Sequence, residues 1–403
     1  MLKPMSRPIP FPHLRRTVAA IAWVPTLLLS SLSLGSLSAL PALAQTQTTS
    51  HAHLASAQTA ARSLEKVAEL SLAPGNITVT PTGRIIVSMH QFYNPTYQVM
   101  ELRSDGKLVP FPNADWAQRT PENPAGLDAV LGIQSDEVGI VWMLDNGNRS
   151  NTTPKLLAWD SLRDRLHRII YFPEPISTAA SFFNDLAVDR RQETIYIADT
   201  AIGGEPAIVV VDLRTGLSRR VLANHESVVA EDVEIAVNGT PLRSRQPDGT
   251  VVNPRVGINP IALDDNDDWL YYGPMNGKHM YRIRTRDLRD LDLSAEAIAQ
   301  RVEVSGDRPN SDGITIDRAG NLYISAVGEN AVGIVRPDGT YQSLFSRKWL
   351  AWPDAFSFAP DGYMYGVANQ LHRSAALNGG EESAAPPFII FRFRPLAEGV
   401  VGR

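Results

Sequence analysis

From residue 72 onward, apolar and polar residues alternate in short runs that are separated by Gly, Pro, Asn and Asp. Such runs predict β-strands joined by turns. One form of run recurs six times: a polar turn-forming pair, often with a Gly, leads into a strand that carries an aliphatic or aromatic residue. It occupies residues 82–87, 138–143, 192–197, 267–272, 319–324 and 361–366.

The spacing of these runs indicates a closed ring of small sheets. The runs lie about 40 to 75 residues apart, and a four-stranded propeller blade needs about 40 to 50 residues. A β-sandwich would also have short strands, but it would not repeat one phrase. The longest interval contains the polar stretch 231–255, which we interpret as an insertion that forms a hairpin over one face. We therefore predict an all-β protein in which residues 71–403 form one six-bladed β-propeller.

The residues before the propeller predict an export signal. A basic start, an apolar stretch over 17–40 and the small-x-small pattern of Ala42-Leu43-Ala44 are typical of a cleaved signal peptide, which we place at 1–44. A membrane anchor is the alternative, but Pro25 and several serines interrupt the apolar stretch. The mature protein is then secreted or periplasmic, with no stable membrane span. We interpret residues 45–70 as a linker with a short helix at 60–70.

Composition excludes some classes of partner. The net charge is −5, so the clustered Lys and Arg of a nucleic-acid-binding surface are not expected. Because the chain has no Cys, an exported protein of this sequence must be stabilised by its core without disulfides.

Candidate chemistry emerges when the repeats are aligned on the strand that precedes each recurring run. Four repeats then place an oxygen-bearing side chain at one position, the first repeat has Gly75 there, and the second is too irregular to align. Equivalent positions of successive blades lie at one radius, so these side chains are expected to form a ligand-binding site at one mouth of the channel. They could instead cap turns. The four residues are Asn184, Asn259, Asp312 and Asp354.

Phrases along nearly the whole mature chain resemble the yellow/major royal jelly proteins. The resemblance implies a secreted six-bladed propeller, in a family that includes amine-binding proteins and proteins linked to dopachrome conversion. The phrases are found at residues 181–189, 195–200, 257–263, 269–275, 311–313, 352–354 and 369–371.

A more distant resemblance is to the calcium-dependent propellers of the gluconolactonase/regucalcin type. These hold Ca²⁺ with a Glu of the first blade, an Asn of the fourth and an Asp of the fifth, and have another Asn near the substrate. Asn259 and Asp312 match two of the metal ligands and Asn184 matches the substrate-side Asn, but Gly75 replaces the Glu. The resemblance thus implies an incomplete calcium site, with weakened affinity because one carboxylate is missing.

Three functions remain open from the sequence. The first is binding of a small aromatic or amine-like molecule in the axial pocket, with tautomerase activity in which Asp185, Asp312 and Asp354 transfer protons. The second is a lactone hydrolase in which Ca²⁺ activates the carbonyl and a water, with Asp312 assisting proton transfer. The third is a non-enzymatic scaffold that binds another molecule through one face.

Overall fold

The computed structural model describes residues 63–403, and the prediction of six blades is confirmed. The signal peptide predicted at 1–44 lies outside these residues, as does most of the predicted linker, and both stay predictions. Six four-stranded antiparallel sheets surround a central axis, and two small two-stranded sheets accompany them.

Each blade runs from the axis outward, and the strands are numbered in chain order. Blade one consists of β2 (Pro74–Val79), β3 (Ile85–Met89), β4 (Val99–Leu102) and β5 (Leu108–Pro110). Blade two consists of β6 (Val130–Ser135), β7 (Ile140–Asp145), β8 (Lys155–Asp160) and β9 (Arg165–Tyr171). Blade three consists of β10 (Phe183–Asp189), β11 (Thr194–Asp199), β12 (Ala207–Asp212) and β13 (Ser218–Val221).

The other three blades follow the same plan. Blade four consists of β18 (Ile258–Leu263), β19 (Trp269–Pro274), β20 (His279–Arg284) and β21 (Glu303–Asp307), with α1 (Thr285–Arg289) and α2 (Ala295–Ala299) between its last two strands. Blade five consists of β22 (Ser311–Ile316), β23 (Leu322–Ala326), β24 (Ala331–Val335) and β25 (Tyr341–Ser346). Blade six consists of β26 (Pro353–Phe358), β27 (Met364–Ala368), β28 (Phe388–Phe393) and β1 (Glu65–Leu70). Within residues 63–403, no helix is long and apolar enough to cross a membrane.

The N-terminal strand corrects the predicted helix at 60–70. Residues 65–70 form β1, which pairs antiparallel with β28, and Leu70 lies opposite Phe388. A bulge between Lys66 and Ala68 shifts the strand's register, so apolar residues at a three-residue spacing can still reach the core. Pairing with the open edge of blade six therefore overrides the weak helical pattern, and the propeller includes residues before 71.

The recurring phrase marks the second strand of every blade. Its aromatic residues fill the space between neighbouring blades: Trp142 packs between blades two and three, Tyr196 between three and four, and Tyr323 between five and six. All three are almost fully buried. The repeat is thus a packing unit, and these three copies each fill one interface between blades.

The insertion between blades three and four forms a roof over one face, which we define as residues 231–256. It contains two short hairpins, β14–β15 (Ala236–Val237, Thr240–Pro241) and β16–β17 (Ser244–Arg245, Val251–Val252), where one hairpin was predicted. The roof is tied to blade six: the Arg243 amide donates to the Leu377 carbonyl at 3.0 Å, and the Gly379 amide donates to the Arg243 carbonyl at 2.7 Å.

Candidate functional site

All six innermost strands have a bulge at the same place. Pairing between the first and second strand of each blade skips one or two residues near the start of the innermost strand. A bulge frees a residue from regular pairing and re-aims its side chain. The equivalent residues are Gly75, Leu131, Asn184, Asn259, Asp312 and Asp354. The second blade, which could not be aligned from the sequence, therefore contributes Leu131.

Side-chain hydroxyls hold the bulges of blades one and five. Ser325 Oγ accepts from the amides of Asp312 at 3.0 Å and Gly313 at 2.8 Å. Ser88 Oγ likewise accepts from the Asn76 amide at 2.8 Å and donates to the Leu131 carbonyl at 2.6 Å. These bonds satisfy amides that the bulges withdraw from the ladder.

The bulge residues line a cavity of about 520 Å³ between the ring and the roof. This volume suits one small molecule. Of the residues predicted from the sequence, the structure brings Asn184, Asp185, Asn259, Asp312 and Asp354 to this cavity, together with Gly75. Apolar side chains of the ring, the roof and nearby loops form much of the wall, including Phe92, Leu131, Phe182, Ile202, Leu242, Val252, Val256, Met275, Leu371 and Leu377.

Asp312 is held on both carboxylate oxygens. Asn259 Nδ2 donates to Oδ1 at 2.6 Å, and Trp352 Nε1 donates to Oδ2 at 2.6 Å. Burial nevertheless raises the pKa of Asp312 to about 6, because the lost solvation of the charge outweighs these two bonds.

Asp185 and Asp354 complete a group of three carboxylates. Asp185 accepts from the Leu186 amide at 2.9 Å and from Asn76 Nδ2 at 3.3 Å, and burial together with the charge of Asp312 raises its pKa to about 7. Asp354 accepts from Asn369 Nδ2 at 2.8 Å. Burial and the charges of Asp312 and Asp185 hold the pKa of Asp354 well above its usual value.

No free Lys or Arg among residues 63–403 lines the cavity to balance this group. Arg255 is the one Lys or Arg among the cavity-lining residues of the part of the chain that the structure describes. Its guanidinium already donates to the Glu231 carbonyl at 2.9 Å and to Asp232 Oδ1 at 2.5 Å. The three carboxylates must therefore hold protons or share a positively charged ligand.

Sequence reasoning missed several members of the site. His90 lines the cavity beside Gly75, and Trp352, Asn369 and Asn76 bond the three carboxylates. Trp352 and Asn369 lie in phrases that carry the family resemblance, and Asn76 occupies the position in the first repeat that Asp185 occupies in the third, but none of the three was assigned to the site. His90 follows β3, outside the aligned strand, so the register argument could not reach it.

The predicted metal pair Asn259 and Asp312 is in contact, but the amide nitrogen of Asn259 faces the carboxylate. Among residues 63–403, no group of three or more His, Cys, Asp or Glu side chains is placed to hold a metal ion. The oxygen donors that line the cavity include the Asn184 and Asn259 amides and the three carboxylates, which are the ligand types that Ca²⁺ takes.

Comparison with known proteins identifies relatives in sequence. A sequence model described as "Major royal jelly protein" matches residues 129–375. Major royal jelly protein 1 of Apis mellifera is 23% identical over 245 residues, covering 56% of this chain and 52% of that protein. Major royal jelly protein 7 of the same organism is 23% identical over 250 residues, covering 58% and 52%. The chain thus spans about half the length of these curated relatives.

Solved structures share the architecture. A gluconolactonase from Xanthomonas campestris matches with a TM-score of 0.51 and 13% identity, over 84% of this chain and 92% of that one. A luciferin-regenerating enzyme matches with a TM-score of 0.51 and 11% identity, over 85% and 98%. At these identities the similarity establishes the propeller fold alone.

Proposed function

The chain belongs to the major royal jelly protein family, and we propose that its axial cavity binds a small molecule with a positively charged amine on an apolar or aromatic body. The observation that carries this proposal is the group of Asp185, Asp312 and Asp354 in a cavity to which the described part of the chain contributes no free Lys or Arg.

Electrostatics favours an ammonium group at this place. Carboxylates that lose solvation and repel one another are stabilised by a shared cation, and the gain is larger in a partly dehydrated cavity than in water. An ammonium group has three N–H donors, which matches a set of acceptors drawn from neighbouring blades. Hydrogen bonds to charged partners contribute about 1.5–3 kcal/mol each.

The walls favour an apolar body on the same molecule. Phe92, Leu131 and Phe182 belong to the ring side of the cavity, and Leu242, Val252 and Val256 belong to the roof. Burying apolar ligand surface against such side chains contributes about 25 cal/mol per Å². An aromatic amine combines this surface with the charge that the carboxylates require.

Calorimetry with matched probes tests the proposal. We expect phenethylamine to bind the protein and 2-phenylethanol, which lacks the charge, to bind much more weakly. Asp354→Asn should weaken phenethylamine binding roughly tenfold or more, since it removes a charged acceptor. Asp105→Asn, on an exposed turn of blade one, is the matched control and should leave affinity unchanged. Equal binding of the two probes, or no binding of either by folded protein, would reject amine recognition and favour the scaffold hypothesis.

We extend the proposal to tautomerisation of the bound molecule. The reaction moves one proton from one ligand atom to another, so it needs groups that exchange protons near neutral pH. Asp185, with a pKa of about 7, is suited to remove and return that proton beside Asp312. Dopachrome conversion is the assay: we expect turnover above buffer, and a loss of turnover in Asp185→Asn. Wild-type turnover equal to that of buffer would reject tautomerase activity and retain only the proposal of amine binding.

A calcium-dependent lactone hydrolase is the second candidate, favoured by Asn184, Asn259 and Asp312 lining one cavity. Bound Ca²⁺ would supply a Lewis acid that polarises the lactone carbonyl. Thermal melting in Ca²⁺ and in EDTA tests for the ion, because a ligand that binds only the folded state raises stability by RT ln(1 + [L]/Kd). Identical melting at millimolar Ca²⁺ would reject this candidate.

A further inference from the structure

The ring at the mouth of the channel has four positions with a polar side chain and two without one. The innermost strands follow chain order around the axis, with β2 beside β6 and β26. Blades three to six place Asn184, Asn259, Asp312 and Asp354 in the ring, whereas blades one and two place Gly75 and Leu131 there. The ring positions of blades one and two therefore carry neither a charge nor a hydrogen-bonding side chain.

Gly75 contributes no side chain to the ring. A Cβ on this residue would lie 3.1 Å from Ser88 Oγ, 3.5 Å from Leu131 Cδ2 and 3.6 Å from His90 Cα. Any longer side chain would extend from a position next to His90. The absence of a side chain at Gly75 is consistent with His90 being among the residues that line the cavity.

His90 is a neutral hydrogen-bond donor at this place. Its Nδ1 accepts from the Phe92 amide at 3.2 Å, so the proton of the neutral ring is on Nε2. Burial lowers the pKa of His90 to about 3, which keeps the ring neutral. Within residues 63–403, Nε2 has no protein hydrogen-bond partner. The ring of Phe92 packs edge-on at 4.7 Å between centroids and fixes the imidazole.

We propose that His90 is a specificity-determining residue, whose Nε2–H donates a hydrogen bond to an uncharged oxygen of the bound ligand. This inference rests on the proposed function, because the carboxylates of blades five and six orient the amine end. The ligand class is then an aromatic amine that carries an ether, carbonyl or phenol oxygen on its ring.

Two probes of similar size separate this contact from general affinity. 4-Methoxyphenethylamine carries an acceptor oxygen, and 4-ethylphenethylamine has a methylene in its place. We expect the wild-type protein to bind the methoxy probe about three- to tenfold more tightly, the worth of one neutral hydrogen bond. In His90→Phe the two probes should bind equally. His90→Gln, which keeps an N–H donor at similar reach, should retain most of the preference for the methoxy probe.

The ratio of the affinities for the two probes distinguishes ligand recognition by His90 from a purely structural role of His90. If His90 only supports the Phe92 loop, His90→Phe will weaken both probes equally and the ratio will persist, which overturns the inference. His167→Phe, on the outermost strand of blade two, is the control and should keep the wild-type ratio. If wild-type protein binds neither amine, the proposed function fails; if it binds both equally, only the role of His90 fails.

A measurement on the wild-type protein covers the case of a variant that does not fold. Long-range ¹H–¹⁵N spectra of histidine-labelled protein should contain an Nε2–H imidazole signal that is missing from His90→Gln or His90→Phe, whichever folds. We expect the methoxy probe to shift this signal and the ethyl probe to leave it nearly in place. Equal shifts with both probes would contradict a hydrogen bond to the oxygen.

Discussion

At the scale of single residues, the site depends on carboxylates that are costly to ionise. Asp312 keeps two strong donors, Asn259 and Trp352, and still has a pKa of about 6. Asp185 has weaker partners and a pKa of about 7. A structural carboxylate is usually paired so that its pKa falls. At Asp160, burial raises the pKa, but hydrogen bonds from the side chain and the backbone amide of Arg163 lower it below the usual value. The opposite shift at the axis is typical of groups placed for a ligand or a proton.

These shifts give a pH dependence with a defined sign. A carboxyl group whose pKa is raised on folding stabilises the folded state fully below its ordinary pKa near 4, and this contribution is lost as pH rises through the folded-state value. Without ligand, Asp312 and Asp185 should therefore lower stability as pH rises through 6 to 7. An aliphatic amine stays protonated there, so its affinity should rise roughly tenfold from pH 5 to 8.

Calorimetry across pH 5 to 8 tests the predicted rise of amine affinity, and thermal melting over the same range tests the predicted loss of stability without ligand. In Asp185→Asn the rise of phenethylamine affinity should be shallower, and the ligand-free protein should melt higher than wild type at pH 8. Amine affinity that is independent of pH in the wild type would show that the carboxylates do not contact the amine.

At the scale of elements, the bulge is the device that makes the site. Ser325, in the second strand of blade five, accepts two amides of the bulge in the first strand and so fixes the backbone that carries Asp312. Its hydroxyl is buried between the strands. The exposed Ser343, in the fourth strand of the same blade, offers a matched comparison.

We expect Ser325→Ala to lower the free energy of unfolding by about 1–3 kcal/mol, because two buried amides lose their acceptor. Amine affinity should fall as well, since Asp312 is no longer held. Ser343→Ala should change the free energy of unfolding by less than about 0.5 kcal/mol. Urea unfolding and calorimetry of both variants give the comparison, and equal stabilities of the two variants would contradict the role of Ser325.

The register of the bulges explains how much of the site the sequence could reveal. Strand alternation predicts which residues share a ring, so Asn184, Asn259, Asp312 and Asp354 could be found by aligning repeats. Trp352 reaches Asp312 from the loop before the next blade, outside the strands that the repeats align. His90 follows a second strand, so it lies outside the strand positions that the alignment compares. The helix predicted at 60–70 failed for a related reason, since β1 pairs with a strand more than 300 residues later in the chain.

At the scale of the whole molecule, that same pairing closes the ring. The strand β1, the first in residues 63–403, supplies the outer edge of the last blade, so blade six contains both early and late residues. Leu70 lies in the core between blades six and one, with Val87 and Ile390. Closure packs blade six against blade one, and it keeps the six innermost strands at the same radius around the cavity.

Replacing Leu70 and Leu72 one at a time separates the effect of ring closure from a general effect of losing a leucine. Leu70 is 5% exposed and Leu72 is 46% exposed, although they are two residues apart. Leu70→Ala should cost about 2–4 kcal/mol of unfolding free energy, because it leaves a cavity at the interface that joins the ends of the ring. Leu72→Ala should cost less than about 0.5 kcal/mol. Amine affinity measured well below the melting temperature should be unchanged in Leu72→Ala. It should be weaker in Leu70→Ala, because closure of the ring holds Asp354 of blade six in place. Equal unfolding free energies of the two variants would show that β1 is not needed to close the propeller.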